Sequence, residues 1–412
     1  MAGVCSSPGA RLRKPPGAGM VARARAAMSE PDPWQAVFST LEEGVTSGAF
    51  PGAVGLVWHA GATLYHEAHG SLASHMAASV TGRPVERDTI YDLASLTKVL
   101  CTTTLVAQLV SQQRLSLDDP VPEPWSSACP EATLADLLEH CSGLAAHREY
   151  FTSVAPFDAE RVLHHVIHTP REYPRRERAV YSDLGFMILG AWIERVLDVP
   201  LDEAFADRIA YRLGLDDSPL PHMGFRRLHS RAALGRTLEQ RIAPTEVYDP
   251  TLYPGGERPS YFALREIDGV AHGMVHDDNA FVMGGVAGHA GLFGTAEAVL
   301  EVARAWVMNL VPDVRADVRD RFWQPSTVPG STRRLGFDGT PSDGSGTTST
   351  AMSEHTVGHT GFPGNTVWID PTAEGGPRVV ILLSNRVHLG REDTAGIRRV
   401  RRAFHEAAAR LR

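Results

Sequence analysis

The segments of this chain that read as β-strands lie at its two ends, and almost everything between them carries helical spacing. Near the start, Ala53–His59 and Thr63–Ala68 flank Ala60-Gly61-Ala62, the pattern of a β-hairpin. Near the end, Thr356–Gly358, Thr366–Ile369 and Val379–Ser384 are short apolar runs separated by turn residues. Strands need hydrogen-bonded neighbours, so the two ends are expected to build one sheet together. Apolar residues at Trp34, Val37, Phe38, Leu41 and Val45 predict a helix that stops before Gly48, and Asp393–Leu411 predicts an Arg-rich amphipathic helix at the close. The intervening candidates are Leu96–Gln113, Thr133–His140, Asp158–His168, Leu184–Leu197, Leu201–Ala210 and Ala296–Met308, with a Gly/Ser/Thr-rich loop over Gly336–Thr350. The expected class is α/β (α+β): an antiparallel sheet from both chain ends (about 33–95 and 345–412), flanked by helices and interrupted by a mainly helical region over about 96–344.

The balance of 40 basic and 48 acidic residues gives a net charge of −8, which lacks the electrostatic footprint of a nucleic-acid binder. No apolar run reaches the roughly 18 residues of a membrane helix. Residues 1–29 hold five basic residues and no acid. A disordered basic extension over 1–32 accounts for them, as does upstream sequence if Met20 or Met28 is the true start; an Arg-rich targeting segment is a third reading. No secretory signal is legible. The cysteines Cys5, Cys101, Cys129 and Cys141 form neither a zinc pattern nor a disulfide framework. A reducing, cytoplasmic setting follows from these two observations, with a periplasmic or extracellular one left open.

Lysine occurs twice, at Lys14 and Lys98, and every other basic residue is arginine. A lysine can lose its proton in a suitable site, whereas arginine keeps its charge. Coding bias alone could leave one lysine in the folded part. But Lys98 closes Ser95-Leu96-Thr97-Lys98 at the start of a predicted helix, where residues three apart share a face. Free N–H groups at a helix start favour a nearby oxyanion, and a serine needs an adjacent base to become a nucleophile. Downstream, Tyr181-Ser182-Asp183 immediately precedes a predicted helix, and His359-Thr360-Gly361 lies between predicted strands, followed by Phe362-Pro363-Gly364. Any one of these fragments is an ordinary turn; the three in this order are not.

At these residues the chain resembles the serine β-lactamase and penicillin-binding-protein-like hydrolases, above all the class C branch of β-lactamases, D,D-carboxypeptidases, D-aminopeptidases and carboxylesterases. Tyr91-Asp92-Leu93-Ala94, Leu137-Leu138-Glu139-His140-Cys141-Ser142-Gly143-Leu144, Gly284–Phe293 and Val379–Asn385 extend the likeness over about residues 34–412. The resemblance implies a β-lactamase/transpeptidase-like fold and an acyl-enzyme on Ser95, with Lys98 as base or proton relay and Tyr181 as second proton-transfer group. It places Asp183, His359, Thr360, Gly361 and Phe362 at the substrate, and the Ser95 and Phe362 N–H groups as the oxyanion hole. It implies no metal and no organic cofactor, and a small acyl molecule as partner.

Two positions depart from the common pattern. Asp183 stands where the branch more often has Asn, and an ionised carboxylate accepts hydrogen bonds only. It also favours the charged form of Lys98, shifting base duty to Tyr181. His359 stands where Lys is common and, mostly neutral near pH 7, holds a substrate carboxylate less firmly. Both departures favour ester cleavage over β-lactam or peptide turnover, with a D,D-carboxypeptidase or β-lactamase as the alternative and a non-catalytic binding module as the alternative of another class. There is no G-x-S-x-G, H-E-x-x-H or Walker motif. His164 and His168 are expected to be surface histidines rather than metal ligands, and His276-Asp277-Asp278 likewise. Cys101 and Cys141 are expected to be packed thiols, and His289 a structural hydrogen-bonding residue.

Overall fold

The computed structural model describes residues 32–74, 80–216, 222–228, 240–247, 266–267, 270–341, 346, 348 and 350–412. The proposed basic extension falls outside them except for Asp32, whose side chain caps the first helix, α1 (Pro33–Thr46), by accepting from Trp34 N. Proline at the first helical position gives up no needed donor there.

The expected sheet from both ends is present. The hairpin is β1 (Gly52–His59) and β2 (Ala62–Gly70). The C-terminal strands are β7 (Val357–Thr360), β8 (Thr366–Asp370) and β9 (Arg378–Ser384). With a two-residue edge strand, β6 (Asp338–Gly339), they form one antiparallel sheet in the order β2-β1-β9-β8-β7-β6. The chain ends meet at the β1–β9 pair, where Ala53 faces Ser384 and Val57 faces Val380. β6 lies in the segment expected to be loop, so the sheet reaches further into the middle of the chain than the sequence indicates.

The sheet is covered on both faces, which is why β1 and β9 are buried along their whole length and show no alternation with polar residues. On one face Ala53, Val57, Val380 and Leu382 pack with Val37 and Leu41 of α1 and with Ile397 and Phe404 of α5 (Ala395–Ala408). On the other, Val54, Leu56, Val379, Ile381 and Leu383 join the large core shared with the helical region. Leu41 and Phe404 are fully buried, so truncating either to alanine costs about 2–5 kcal/mol.

The middle of the chain is less purely helical than expected. β3 (Tyr91–Asp92), β4 (Met223–Phe225) and β5 (Leu292–Gly294) form a second small sheet with β5 at its centre. The single helix expected over Leu96–Gln113 is a π-helical stretch, Lys98–Thr103, followed by α2 (Thr104–Ser111). Its threonines explain the break: the Thr104 hydroxyl donates to Val99 O, five residues back, at 3.0 Å, and Thr102 donates to Gly288 O at 2.6 Å. α3 (Asp183–Leu197) and α4 (Ala296–Val307) match in place, whereas the helix expected over Leu201–Ala210 turns π-helical from Ala206 and a helix over Ala316–Phe322 was not expected.

Candidate active site

Ser95 follows a strained turn residue and stands directly before the helical residues Leu96 and Thr97, at the helix start expected from the sequence. β3 pairs with β5, then Leu93 N donates to Leu292 O at 2.9 Å, which fixes the chain up to the turn. Ala94 adopts φ +47°, a conformation costly for a residue with a Cβ. Buried Asp92 holds it there, accepting from Ala94 N at 2.8 Å and His276 N at 2.6 Å. Burial pushes the Asp92 carboxyl up to about 6 despite these donors. The next bonds run Leu96 N to Leu93 O, Thr97 N to Ala94 O and Lys98 N to Ser95 O. This is a 3₁₀ pattern, in which side chains three apart eclipse, and so Lys98 Nζ reaches Ser95 Oγ at 3.1 Å.

Lys98 is 0% exposed, and its three donors are used by Ser95 Oγ, Asp183 Oδ1 at 2.8 Å and His289 O at 3.2 Å. Burial alone would lower its pKa, but the Asp183 carboxylate and Tyr181 outweigh that and hold the ammonium above its ordinary value. Asp183 is the first residue of α3, with Ser182 as N-cap. Burial would raise its carboxyl, yet Lys98, His147 and His289 hold it well below the usual range. Its second oxygen accepts from His147 Nδ1 at 3.2 Å. Asp183 lines the cavity as expected, but both its oxygens are committed to protein groups.

The Tyr181 ring lies 4.7 Å from Lys98 Nζ, so the hydroxyl, amine and phenol do converge. The phenol is buried within electrostatic reach of Lys98 and Ser95, though it makes no hydrogen bond of ordinary geometry to a described residue. Burial pushes its pKa up, outweighing the lowering by Lys98.

His359, Thr360, Gly361 and Phe362 form the opposite wall. His359 lies within β7 rather than between strands; its Nδ1 donates to Thr360 O at 2.7 Å, and burial with the nearby Lys98 and Arg333 charges pushes it down to about 3. The turn beyond is held from behind. Arg401, nine-tenths buried, donates to the carbonyls of Gly361, Gly364 and Asn365, and Arg386 donates to Phe362 O at 3.0 Å. Gly364 has φ +112°, and a Cβ there would overlap the Ser384 hydroxyl. Neither Ser95 N–H nor Phe362 N–H donates to another group among the described residues, whereas Ala94, Leu96 and Gly361 N–H all do.

These groups line one cavity of about 630 Å³. The sequence reading missed several of its members. His147 and Arg333 line it, and Arg391 bridges Glu246 and Asp278 at its edge. His276 stacks on Phe362 with ring centroids 5.7 Å apart and bonds Glu246 at 2.9 Å. His289, expected to be structural, bonds Asp277 at 2.9 Å; His164 and His168 are exposed, as expected, whereas His276, expected at the surface, is buried. Among the described residues no group of His, Cys, Asp and Glu could hold a metal, and no helix is long and apolar enough to cross a membrane. Cys101, Cys129 and Cys141 are buried free thiols, each with its pKa raised by burial.

Comparison with known proteins bears on the family and the fold. The Beta-lactamase family model matches residues 37–404. A protein of Escherichia coli O157:H7 named as a D-alanyl-D-alanine carboxypeptidase is 29% identical over 367 residues, covering 82% of this chain and 79% of that protein. Simvastatin synthase of Aspergillus terreus superposes with a TM-score of 0.67 at 19% identity, covering 92% of this chain and 98% of that one. The hydrolase EstCE1, with promiscuous acyltransferase activity, superposes with a TM-score of 0.66 at 20% identity, covering 89% of this chain and 98% of that one. At such identities the two structural likenesses speak for the fold.

Proposed function

The chain belongs to the Beta-lactamase family, and on that premise we propose that it is a serine hydrolase that forms an acyl-enzyme on Ser95 and cleaves a carboxylic ester or related small acyl substrate. The observation that carries this reading is the fully buried Lys98 amine 3.1 Å from Ser95 Oγ, with the Tyr181 phenol beside it.

Because Lys98 is held as ammonium by Asp183, it serves as a fixed positive charge rather than as the resting base. Tyr181, held neutral by burial, then acts as a relay. Ser95 Oγ attacks the acyl carbon and passes its proton to Tyr181 Oη, while the Tyr181 proton goes to the departing oxygen. The free N–H groups of Ser95 and Phe362 receive the developing oxyanion; one such donor is worth roughly 10²–10³-fold in rate. An ester suits this site better than an amide. Its alkoxide leaves with less proton donation, and Asp183 offers no N–H to an amide carbonyl.

A D,D-carboxypeptidase is the second reading, favoured by the name of the Escherichia coli relative. It is also favoured by Arg398, which lines the cavity and has no carboxylate partner among the described residues, so it could meet a substrate carboxylate. Incubation with a fluorophosphonate probe followed by intact mass tests the shared step. An adduct on Ser95 supports the hydrolase, and no adduct with this probe or a labelled penicillin favours a binding module. Turnover of p-nitrophenyl esters against release of D-alanine from a D-alanyl-D-alanine peptide separates the two substrate readings.

A further inference from the structure

His147 is the part of the site that neither the motifs nor the proton relay explains. The segment carrying it is tied to the start of α3 by Ser182 Oγ donating to Ala145 O at 2.6 Å and Asp183 N donating to Ala146 O at 2.9 Å. Farther along, Asn279 Nδ2 donates to Arg148 O at 2.8 Å. The ring therefore stands on a braced loop. Its Nδ1 bonds Asp183 Oδ2 at 3.2 Å, it lines the same cavity as Ser95, and its Nε2 has no partner among the described residues. A carboxylate on one ring nitrogen fixes the tautomer and leaves the other nitrogen free to take a proton.

We propose that His147, oriented by Asp183, is the general base that activates water to release the acyl group from Ser95. This role rests on Ser95 being the nucleophile. Water gives one proton to His147 Nε2 as its oxygen bonds the acyl carbon. The acyl carbon–Ser95 Oγ bond breaks, and Oγ takes a proton from Lys98 Nζ, which already donates to it. The imidazolium then returns its proton through solvent to Ser95 Oγ, whose own proton passes to Lys98 Nζ, so serine, acid product and both side chains end as they began.

The charges around the ring suit a base working near neutrality. Asp183 faces it from α3, Asp277 and Asp278 from the helix across the cavity, and Arg148 neighbours it in sequence, its guanidinium drawn away toward Glu172. Lys98 lies behind Asp183. The Asp183 bond raises the His147 pKa against the lowering effect of burial.

The test compares His147→Gln and His147→Asn with the wild type on p-nitrophenyl acetate, the asparagine being able to keep a donor near the Nδ1 position. The expected result is an unchanged acylation burst in both variants and steady-state turnover lower by about 10²-fold or more. Acetyl adduct should accumulate on Ser95, and the acidic limb of the wild-type turnover profile should disappear. Recovery of turnover by His147→Asn would show that the ring only positions Asp183, and equal loss in both phases, or no loss, overturns the proposal as well. Turnover surviving Ser95→Ala instead removes the nucleophile assignment itself, so the two failures are distinguishable.

Discussion

Asp183 Oδ1 lies 2.8 Å from Lys98 Nζ, and this ion pair joins the start of α3 to the turn that carries Ser95, across 85 positions of chain. The carboxylate keeps the amine charged and leaves no side-chain N–H at the position. Asp183→Asn reverses both effects. Lys98 loses its counter-charge and becomes the better base, and an amide donor enters the site. Nitrocefin turnover should rise relative to p-nitrophenyl ester turnover by about tenfold, the equivalent of ~1.4 kcal/mol. An unchanged ratio of the two rates would sink the link between Asp183 and ester preference.

Lys98→Arg and Lys98→Met test the amine in different ways. Arginine keeps a charge for Asp183 but cannot give up a proton, and its larger head must fit where Lys98 is fully buried. Acylation by a fluorophosphonate probe should fall by about 10³-fold or more in Lys98→Met, which lacks the charge, and by less in Lys98→Arg, whose loss should fall on release of the acyl group, the step that takes a proton from residue 98. Methionine also leaves the Asp183 carboxylate without its cation, so its thermal unfolding should register a loss of about 3–5 kcal/mol, largely recovered by adding Asp183→Asn. Retention of most of the labelling rate by Lys98→Met would show that the charge of Lys98 does not serve acylation.

The parts of the site legible in the sequence are those written locally. Ser95 and Lys98 sit three apart, and the scarcity of lysine singled the pair out; Tyr181 and Asp183 precede a strongly apolar helix. Glu246, Arg391 and His147 were not legible, because each meets its partner only through tertiary contact, as Glu246 and Arg391 do across 145 positions. The same contrast holds for the fold. β1, β8 and β9 announce themselves by apolar runs, whereas β6 is two residues of a glycine-rich stretch and exists only because β7 offers an edge. The π-stretch after Ser95 was hidden by continuous apolar character, its one signal being the Thr102-Thr103-Thr104 run.

The turn carrying Phe362 depends on a cation far from the chemistry in sequence. Arg401 binds three carbonyls of the turn from behind; Arg401→Met takes a charged donor from each, leaving Gly364 O with no donor among the described residues and Gly361 O and Asn365 O with one backbone donor apiece. Stability should drop by about 3 kcal/mol, and kcat should fall with little change in KM, since the Phe362 N–H loses its aim in the transition state more than in the ground state. A variant that is less stable yet keeps its kcat would show that Arg401 serves the fold alone.

Acid should unfold this protein through a small set of buried carboxylates. Asp183, Asp277 and Glu246 are each held below their ordinary range: burial opposes this, but Lys98, His289, and the His276–Arg391 pair respectively outweigh it. For a carboxyl with a depressed native pKa, the unfolded chain takes up the proton first. The stability is therefore complete above the unfolded values near 4 and is lost as pH falls below them. The melting temperature should fall gently below about pH 6.5, where the unfolded chain protonates the imidazoles of His140 and His359 that burial keeps neutral in the native state, and then steeply below about pH 4, where several carboxylates take up protons together. Glu246→Gln removes one of them, so the acid limb of its unfolding free energy should be shallower than the wild type by about 1.4 kcal/mol per pH unit, from a lower starting stability because Arg391 and His276 lose their anion. An acid limb with wild-type slope in Glu246→Gln would mean that this carboxylate is not ionised in the native protein.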